Sequence, residues 1–268
     1  MPEESRQRRH VHRLRAAAND AAFFLPYLEP GMHLLDAGCG PGTITVGLAK
    51  AVAPGEVTGF DLDEAVLEIA RAGAAATGLT NVRFEVADIH ELPIPDNVVD
   101  AVFSNAVIEY VDDPVLMLKE MYRVLKPGGV IGVRTPDTDG ELSAPEDPLW
   151  EELRRLSSTQ DGSGHIDGVN NARPDRRRGK HLRSYLRRAG FVDIRASASY
   201  TSFSTREDIH FLGSLFIPDL QRDDHPWIEA GLVDRETLQQ MVEAAQRWTN
   251  HPDAFMARAW GEAVAWKN

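Results

Sequence analysis

Glycines and acids at fixed spacing carry the chemistry legible in this chain. In Leu34-Leu35-Asp36-Ala37-Gly38-Cys39-Gly40-Pro41-Gly42-Thr43 an apolar approach runs into a carboxylate and then into glycines at 38, 40 and 42. Glycine accepts positive φ and lets a ligand approach the main chain, so this is a loop stripped of side chains around a bound molecule. A helical pattern (Val46, Leu48, Ala49, Val52) begins at once, giving strand, tight turn and helix in succession. Dinucleotide folds place G-x-G-x-x-G over a pyrophosphate at the helix N-terminus. Here the glycines are differently spaced, position 43 is Thr, and Asp36 stands just before the loop. A carboxylate there repels a pyrophosphate and suits a cationic head group. A nucleoside with a charged amino-acid tail fits the loop better than a nicotinamide dinucleotide does.

The elements that must hold these residues follow from periodicity and punctuation. A helix is expected over about 6–28, ended by Pro30-Gly31, and a strand over about 33–37. The glycine loop and a helix to about 52 follow, then strand Val57-Thr58-Gly59-Phe60 ending at Asp61. Asp63 caps a helix over about 64–77 and Gly78 stops it; strand three is Val82 to Val86, just before Asp88. Strand four is Asp100 to Ser104, a helix covers about 114–125, and Pro127-Gly128-Gly129 turns into strand Val130 to Val133. Strands alternating with helices argue an α/β fold: a doubly wound, Rossmann-like sheet, mostly parallel, whose ligands bind beyond the carboxyl ends of the strands. Asp36, Asp61, Asp88 and Asn105 fall at or beyond those ends. A carboxylate at Asp61 is placed to accept both hydroxyls of a ribose.

After residue 135 the rhythm breaks. Residues 135–177 read as loop-rich; a helix (about 179–189) and a strand (Val192 to Tyr200) resume the core; residues 205–258 read as helical, with a cap at Asp234; and Trp260 to Lys267 reads as an antiparallel last strand. The expected organisation is one domain over 1–268, with a core of about 31–134, 178–200 and 259–268. Insertions at about 135–177 and 201–258 would form a lid and bind substrate.

Asp36-x-Gly38-x-Gly40-x-Gly42 resembles motif I of the class I S-adenosylmethionine-dependent methyltransferases. Leu92-Pro93-Ile94-Pro95-Asp96, Asp100-Ala101-Val102 and Arg123-Val124-Leu125-Lys126-Pro127-Gly128-Gly129 resemble companion segments of that family, in particular its quinone-biosynthesis (UbiE-like) small-molecule branch. The likeness covers about residues 22–135. It implies S-adenosylmethionine as cofactor and S-adenosylhomocysteine as product. It also implies a cofactor site made of Asp36, Gly38, Cys39, Gly40, Gly42 and Thr43 at the loop, and of Asp61 and Leu62 at the ribose. Ala87, Asp88 and Ile89 would meet the adenine, and the backbone of Asn105 the methionine part. Many relatives carry histidine where Tyr110 stands, so a histidine base at that point is excluded here.

Methyl transfer asks mainly for proximity and orientation. A base is needed only where the nucleophile arrives protonated. The catalytic candidates are Tyr110, Glu109 and His165, with His210 and Asp137 as further titratable groups. The aromatic residues Trp150, Tyr200, Phe203, Phe211, Phe216, Trp227 and Phe255 motivate a small, largely apolar acceptor, although core packing explains most of them equally well. The other reading is a cofactor-binding protein without methyl transfer, cyclase-like or regulatory. A nicotinamide oxidoreductase is disfavoured by the glycine spacing and by Asp36.

The bulk numbers bound the partners. The chain has 268 residues and a net charge of −12, which disfavours nucleic acid as substrate. The basic runs Arg6-Gln7-Arg8-Arg9 and Arg176-Arg177-Arg178 read as solvated surface. Cys39 is the one cysteine, read as a small filler. No metal-ligand spacing and no membrane-length apolar run occur. A soluble cytoplasmic protein without membrane insertion is expected, with its oligomeric state open.

Overall fold

Short buried strands alternate with amphipathic helices through the first half of the chain. The computed structural model describes residues 16–158, 174–222 and 225–268. A short α1 (Ala17–Asp20) precedes β1 (Leu34–Ala37), α2 (Thr43–Val52), β2 (Val57–Asp61), α3 (Glu64–Ala76) and β3 (Val82–Val86). Then come β4 (Val99–Asn105), α4 (Pro114–Val124) and β5 (Leu125–Pro136). Caps fix where the helices begin. Asp63 accepts from the N–H of Ala65 at 2.9 Å, and Asp113 accepts from that of Val115 at 2.8 Å, satisfying donors the first turn leaves unpaired.

The second half supplies β6 (Leu142–Ala144), α5 (Pro148–Ser158), α6 (Leu182–Ala189), β7 (Val192–Phe203), α7 (Arg206–Leu220), α8 (Pro226–Glu229), α9 (Arg235–Asn250) and β8 (Phe255–Trp266). The sheet runs β3-β2-β1-β4-β5-β8-β6, with β7 also on β8. Strands β1 to β5 pair parallel, with a register shift on β4 between Val99 and Ala101: Leu34 lies opposite both Val57 and Ala101, and Asn105 opposite Arg134. That arrangement brings the carboxyl ends of five strands to one rim. β8 runs back along β5, and Lys267 beyond its end is hydrogen-bonded to Gly128 and Gly129 near the start of β5.

Two compact units result: residues 1–135, 179–197 and 261–268, and residues 136–178 and 198–260. In the first, Leu35, Phe60, Val102 and Ile131 pack with Met117, Leu118 and Met121 of α4. Leu34, Val57, Ala101 and Phe103 pack with Phe24, Leu48 and Val52. Successive strand residues point to opposite faces, so both faces of the sheet are covered. The second unit has its own core, in which Trp150 stacks on Trp248 with ring centroids 4.4 Å apart. The Nε1–H of Trp150 donates to Ser143 and that of Trp248 to the carbonyl of Ala144, both at 2.9 Å.

Several expectations need correction. The described part of the expected helix over 6–28 is α1 and a separate 3-10 turn at Leu25–Tyr27; Pro26 lacks the N–H that would continue a helix. The loop-rich stretch 135–177 contains β6 and α5, whose Trp150, Leu153 and Leu156 are buried. Asp147 starts α5 by accepting from the N–H of Leu149 and Trp150. β5 begins at Leu125 and β8 at Phe255, each five residues earlier than the patterns suggested. The run at 176–178 is not all solvated: Arg178 is buried, with Nε 3.3 Å from Oδ2 of Asp175. The run at 6–9 lies outside the described residues.

Candidate functional site

Asp36 ends up inside the protein, 2% exposed, with the hydroxyl of Thr45 donating to Oδ2 at 2.6 Å. Burial pushes its carboxyl up to about 7; the charge of Asp61 pushes the same way and the Thr45 hydrogen bond opposes them. The N–H groups of Gly38 and Cys39 both donate to the carbonyl of Phe60, at 2.8 and 2.9 Å, which anchors the loop to β2. Gly42 has φ +73°, and a Cβ there would stand 2.8 Å from Cζ of Phe84 and 2.9 Å from Cβ of Ala70. Gly40 differs: φ is +53° and nothing lies within 4 Å of where its Cβ would be. A side chain at 40 would therefore project into open space. Cys39 is buried, and burial, followed by Asp36 and Asp61, holds its thiol far above the usual range. Such a thiol carries little thiolate, the form that attacks.

Asp61, at the end of β2, is half-buried. Its Oδ2 accepts from the N–H of Gly40 at 2.9 Å and its Oδ1 from that of Asp63 at 3.2 Å. Val86 pairs with Asp61 in register, and Leu62 and Val86 are 54% and 51% exposed, an apolar rim beside a polar acceptor. Asp88 is exposed; its Oδ1 takes the N–H of His90 at 2.9 Å and pairs with His90 Nδ1 at 2.8 Å. Those two hydrogen bonds hold its carboxyl below the usual range. Ala87 and Ile89 on either side are buried.

The exit of β4 completes the rim. Asn105 is buried and its Oδ1 accepts from Nη1 of Arg134 at 3.2 Å. Ala106 follows at φ +58°, its N–H donating to the carbonyl of Arg134 at 2.9 Å. A 3-10 turn, Ile108–Tyr110, carries the two catalytic candidates. Glu109 is buried and accepts from the hydroxyl of Thr135 at 3.1 Å; Tyr110 is half-buried.

Asp36, the glycines, Thr43, Asp61, Leu62, Asp88, Asn105 and Glu109 thus share the first unit. His165 lies outside the described residues. His210, exposed on α7, and Asp137, buried beyond β5, belong to the second unit. Of the aromatic residues expected to face an acceptor, Trp150, Phe216 and Trp227 are core of the second unit, whereas Tyr200 is 52% exposed. Sequence reasoning missed Thr45 and Arg134. The available signal for Arg134 was a lone cation closing an apolar strand. No group of three or more metal-ligating side chains occurs among the described residues.

A buried acid ahead of a glycine loop, with acidic residues at or just beyond the ends of the next two parallel strands, stands on the carboxyl rim of a Rossmann-like sheet. The family model described as methyltransferase domain matches residues 28–190, and the chain belongs to that family, the S-adenosylmethionine-dependent methyltransferases. It is 32% identical to the probable methyltransferase ltbC of Aspergillus luteorubrus over 98% of this chain and 95% of that one. It is 39% identical to the demethylmenaquinone methyltransferase of Staphylococcus aureus over 48% of this chain and 51% of the enzyme, in line with the UbiE-like resemblance. Among solved structures, the 4+2 cyclase SpnF superposes with a TM-score of 0.52 at 23% identity, covering 89% of this chain and 76% of its own. That likeness concerns the fold alone. No helix among the described residues is long and apolar enough to cross a membrane.

Proposed function

We propose that the chain binds S-adenosylmethionine at the glycine loop and directs its methyl group to a small, largely apolar metabolite by direct displacement. The observation that carries this reading is the loop itself: open space at Gly40, with its N–H held by Asp61. In this reading Gly38, Cys39, Gly40, Gly42 and Thr43 form the cradle, with Asp36 buried behind it. Asp61 accepts the ribose hydroxyls beside Leu62. Ala87, Asp88 and Ile89 bound the adenine, and the backbone of Asn105 meets the methionine part. When bound, the cofactor supplies a methyl group activated on a sulfonium. The protein's own contribution is orientation and exclusion of water. Glu109, oriented by Thr135, receives the acceptor's proton where the nucleophile carries one, and Tyr110 packs beside it.

The test is incubation with methyl-labelled S-adenosylmethionine and an organic extract of small apolar metabolites. Label in the organic phase, matched by S-adenosylhomocysteine formed, supports transfer. A second reading, cofactor binding without transfer, is favoured by Tyr110 standing where many relatives carry histidine, and a fold shared with a cyclase does not fix the reaction. It predicts cofactor binding with no S-adenosylhomocysteine formed beyond the protein-free control.

A further inference from the structure

The ion pairs of one buried cluster, centred on Arg134, take no part in the steps above. Arg134, 3% exposed, closes the apolar run Val130-Ile131-Gly132-Val133. Its Nη1 lies 3.0 Å from Oδ1 of Asp20 on α1 and 3.2 Å from Oδ1 of Asn105 at the end of β4. Its Nε lies 3.4 Å from Oε1 of Glu262 on β8. The outer oxygens are held too: Asp20 Oδ2 accepts from the N–H of Ala16 at 2.9 Å, and Glu262 Oε2 from the hydroxyl of Ser197 at 3.1 Å. The carbonyl of Arg134 takes the N–H of Ala106, the residue at φ +58°. One side chain and its own backbone therefore join α1, β4, β5 and β8.

Energy alone does not explain this choice of residues. A buried ion cluster is often no more stabilising than apolar packing of the same volume, because each charge must leave water. A guanidinium offers donors in a planar fork that meets several acceptors in fixed directions, which an ammonium cannot do. The fork meets the side chain of Asn105, and the main-chain carbonyl of Arg134 meets the N–H of Ala106, at the rim where the cofactor site is proposed. An alanine at positive φ is disfavoured unless its surroundings impose that conformation, and Arg134 bonds on both sides of that peptide.

We infer that Arg134 is a positioning residue for the cofactor: it sets the β4 exit, and Asp20 makes that setting depend on α1 being docked. This rests on the proposed binding of S-adenosylmethionine at the loop. The experiment is calorimetric titration of the full chain and of Asp20→Asn, Asp20→Ala, Arg134→Lys, Arg134→Met and the Asp20→Ala/Arg134→Met double variant with S-adenosylhomocysteine. Circular dichroism at the same temperature checks that each is folded. Asp20→Ala and Arg134→Met should each weaken binding about tenfold or more, with the double variant close to the weaker single one, as partners in one network behave. Arg134→Lys should recover part of the loss. A purely structural role lowers the melting temperature and leaves the affinity of the folded chain within about twofold of the parent; that result overturns the inference. If Arg134→Met does not fold, Asp20→Asn decides the matter on the same criterion. Absence of binding by the parent chain overturns both the proposed cofactor and this inference, whereas parent binding with equal affinity in the variants overturns the inference alone.

Discussion

Gly40 donates its backbone N–H to Oδ2 of Asp61 at 2.9 Å, so the carboxylate at the end of β2 fixes the middle of the glycine loop. A carboxylate has about four lone-pair sites. Asp61 can hold the loop and still accept ribose hydroxyls. The loop is thereby arranged before a ligand arrives, which lowers the ordering cost of binding.

Asp61→Ala removes the tether of Gly40 and, with it, the proposed ribose acceptor. It is expected to weaken S-adenosylhomocysteine binding by on the order of 1–3 kcal/mol. Asp61→Asn should be milder, since an amide oxygen still accepts from Gly40. Titration calorimetry checks this, and an unchanged dissociation constant for Asp61→Ala removes the residue from the site.

The loop glycines should fail in different ways. At Gly42 a Cβ meets Phe84 and Ala70, so Gly42→Ala should lower the melting temperature markedly. At Gly40 a Cβ meets nothing, so Gly40→Ala costs only its backbone strain, roughly 1–2 kcal/mol, while intruding on the ligand. Its loss in cofactor affinity should exceed its loss in stability. Thermal unfolding and titration of both variants separate the two; equal affinity in Gly40→Ala and the parent contradicts the expectation.

Asp36 is expected to make stability fall as pH rises. Its carboxyl is raised to about 7 in the folded chain, from 3.8, so the folded state binds more protons than the unfolded state in between. The contribution is complete below about pH 4 and is lost as pH rises through about 7, an upper bound on the order of 4 kcal/mol. Asp36→Asn removes this component. Urea unfolding from pH 4 to 8 should show the parent losing stability relative to the variant across that window, and parallel profiles would count against the buried, protonated acid.

The turn after β4 separates base from packing. Glu109→Gln keeps an oxygen for the Thr135 hydroxyl but cannot take a proton. With an acceptor that loses a proton, kcat should fall by roughly a hundredfold or more with cofactor affinity unchanged. Tyr110→Phe should stay within a few-fold of the parent. Steady-state kinetics of the two variants decide it, and the reverse pattern would transfer the role to the tyrosine hydroxyl.

The sequence reads well where the determinants are local. β1, the loop and α2 follow from ten residues whose types and spacing allow little else, and Asp63 and Asp234 announce the starts of α3 and α9. α5 was obscured because its apolar triplet Trp150, Leu153, Leu156 sits among glycines and acids, although Asp147-Pro148 marks its start. The Arg134 cluster was out of reach for another reason. Its partner Asp20 is 114 residues away along the chain, and only the strand order brings α1, β4, β5 and β8 together.

The most direct measurement is calorimetric titration of the purified chain, stripped of co-purified ligand, with S-adenosylmethionine, S-adenosylhomocysteine and NAD(H). Saturable binding of the first two at one site per chain, lost in Asp61→Ala and absent for NAD(H), is the predicted result. No binding of S-adenosylmethionine or S-adenosylhomocysteine would contradict the assignment of the glycine loop as the cofactor cradle.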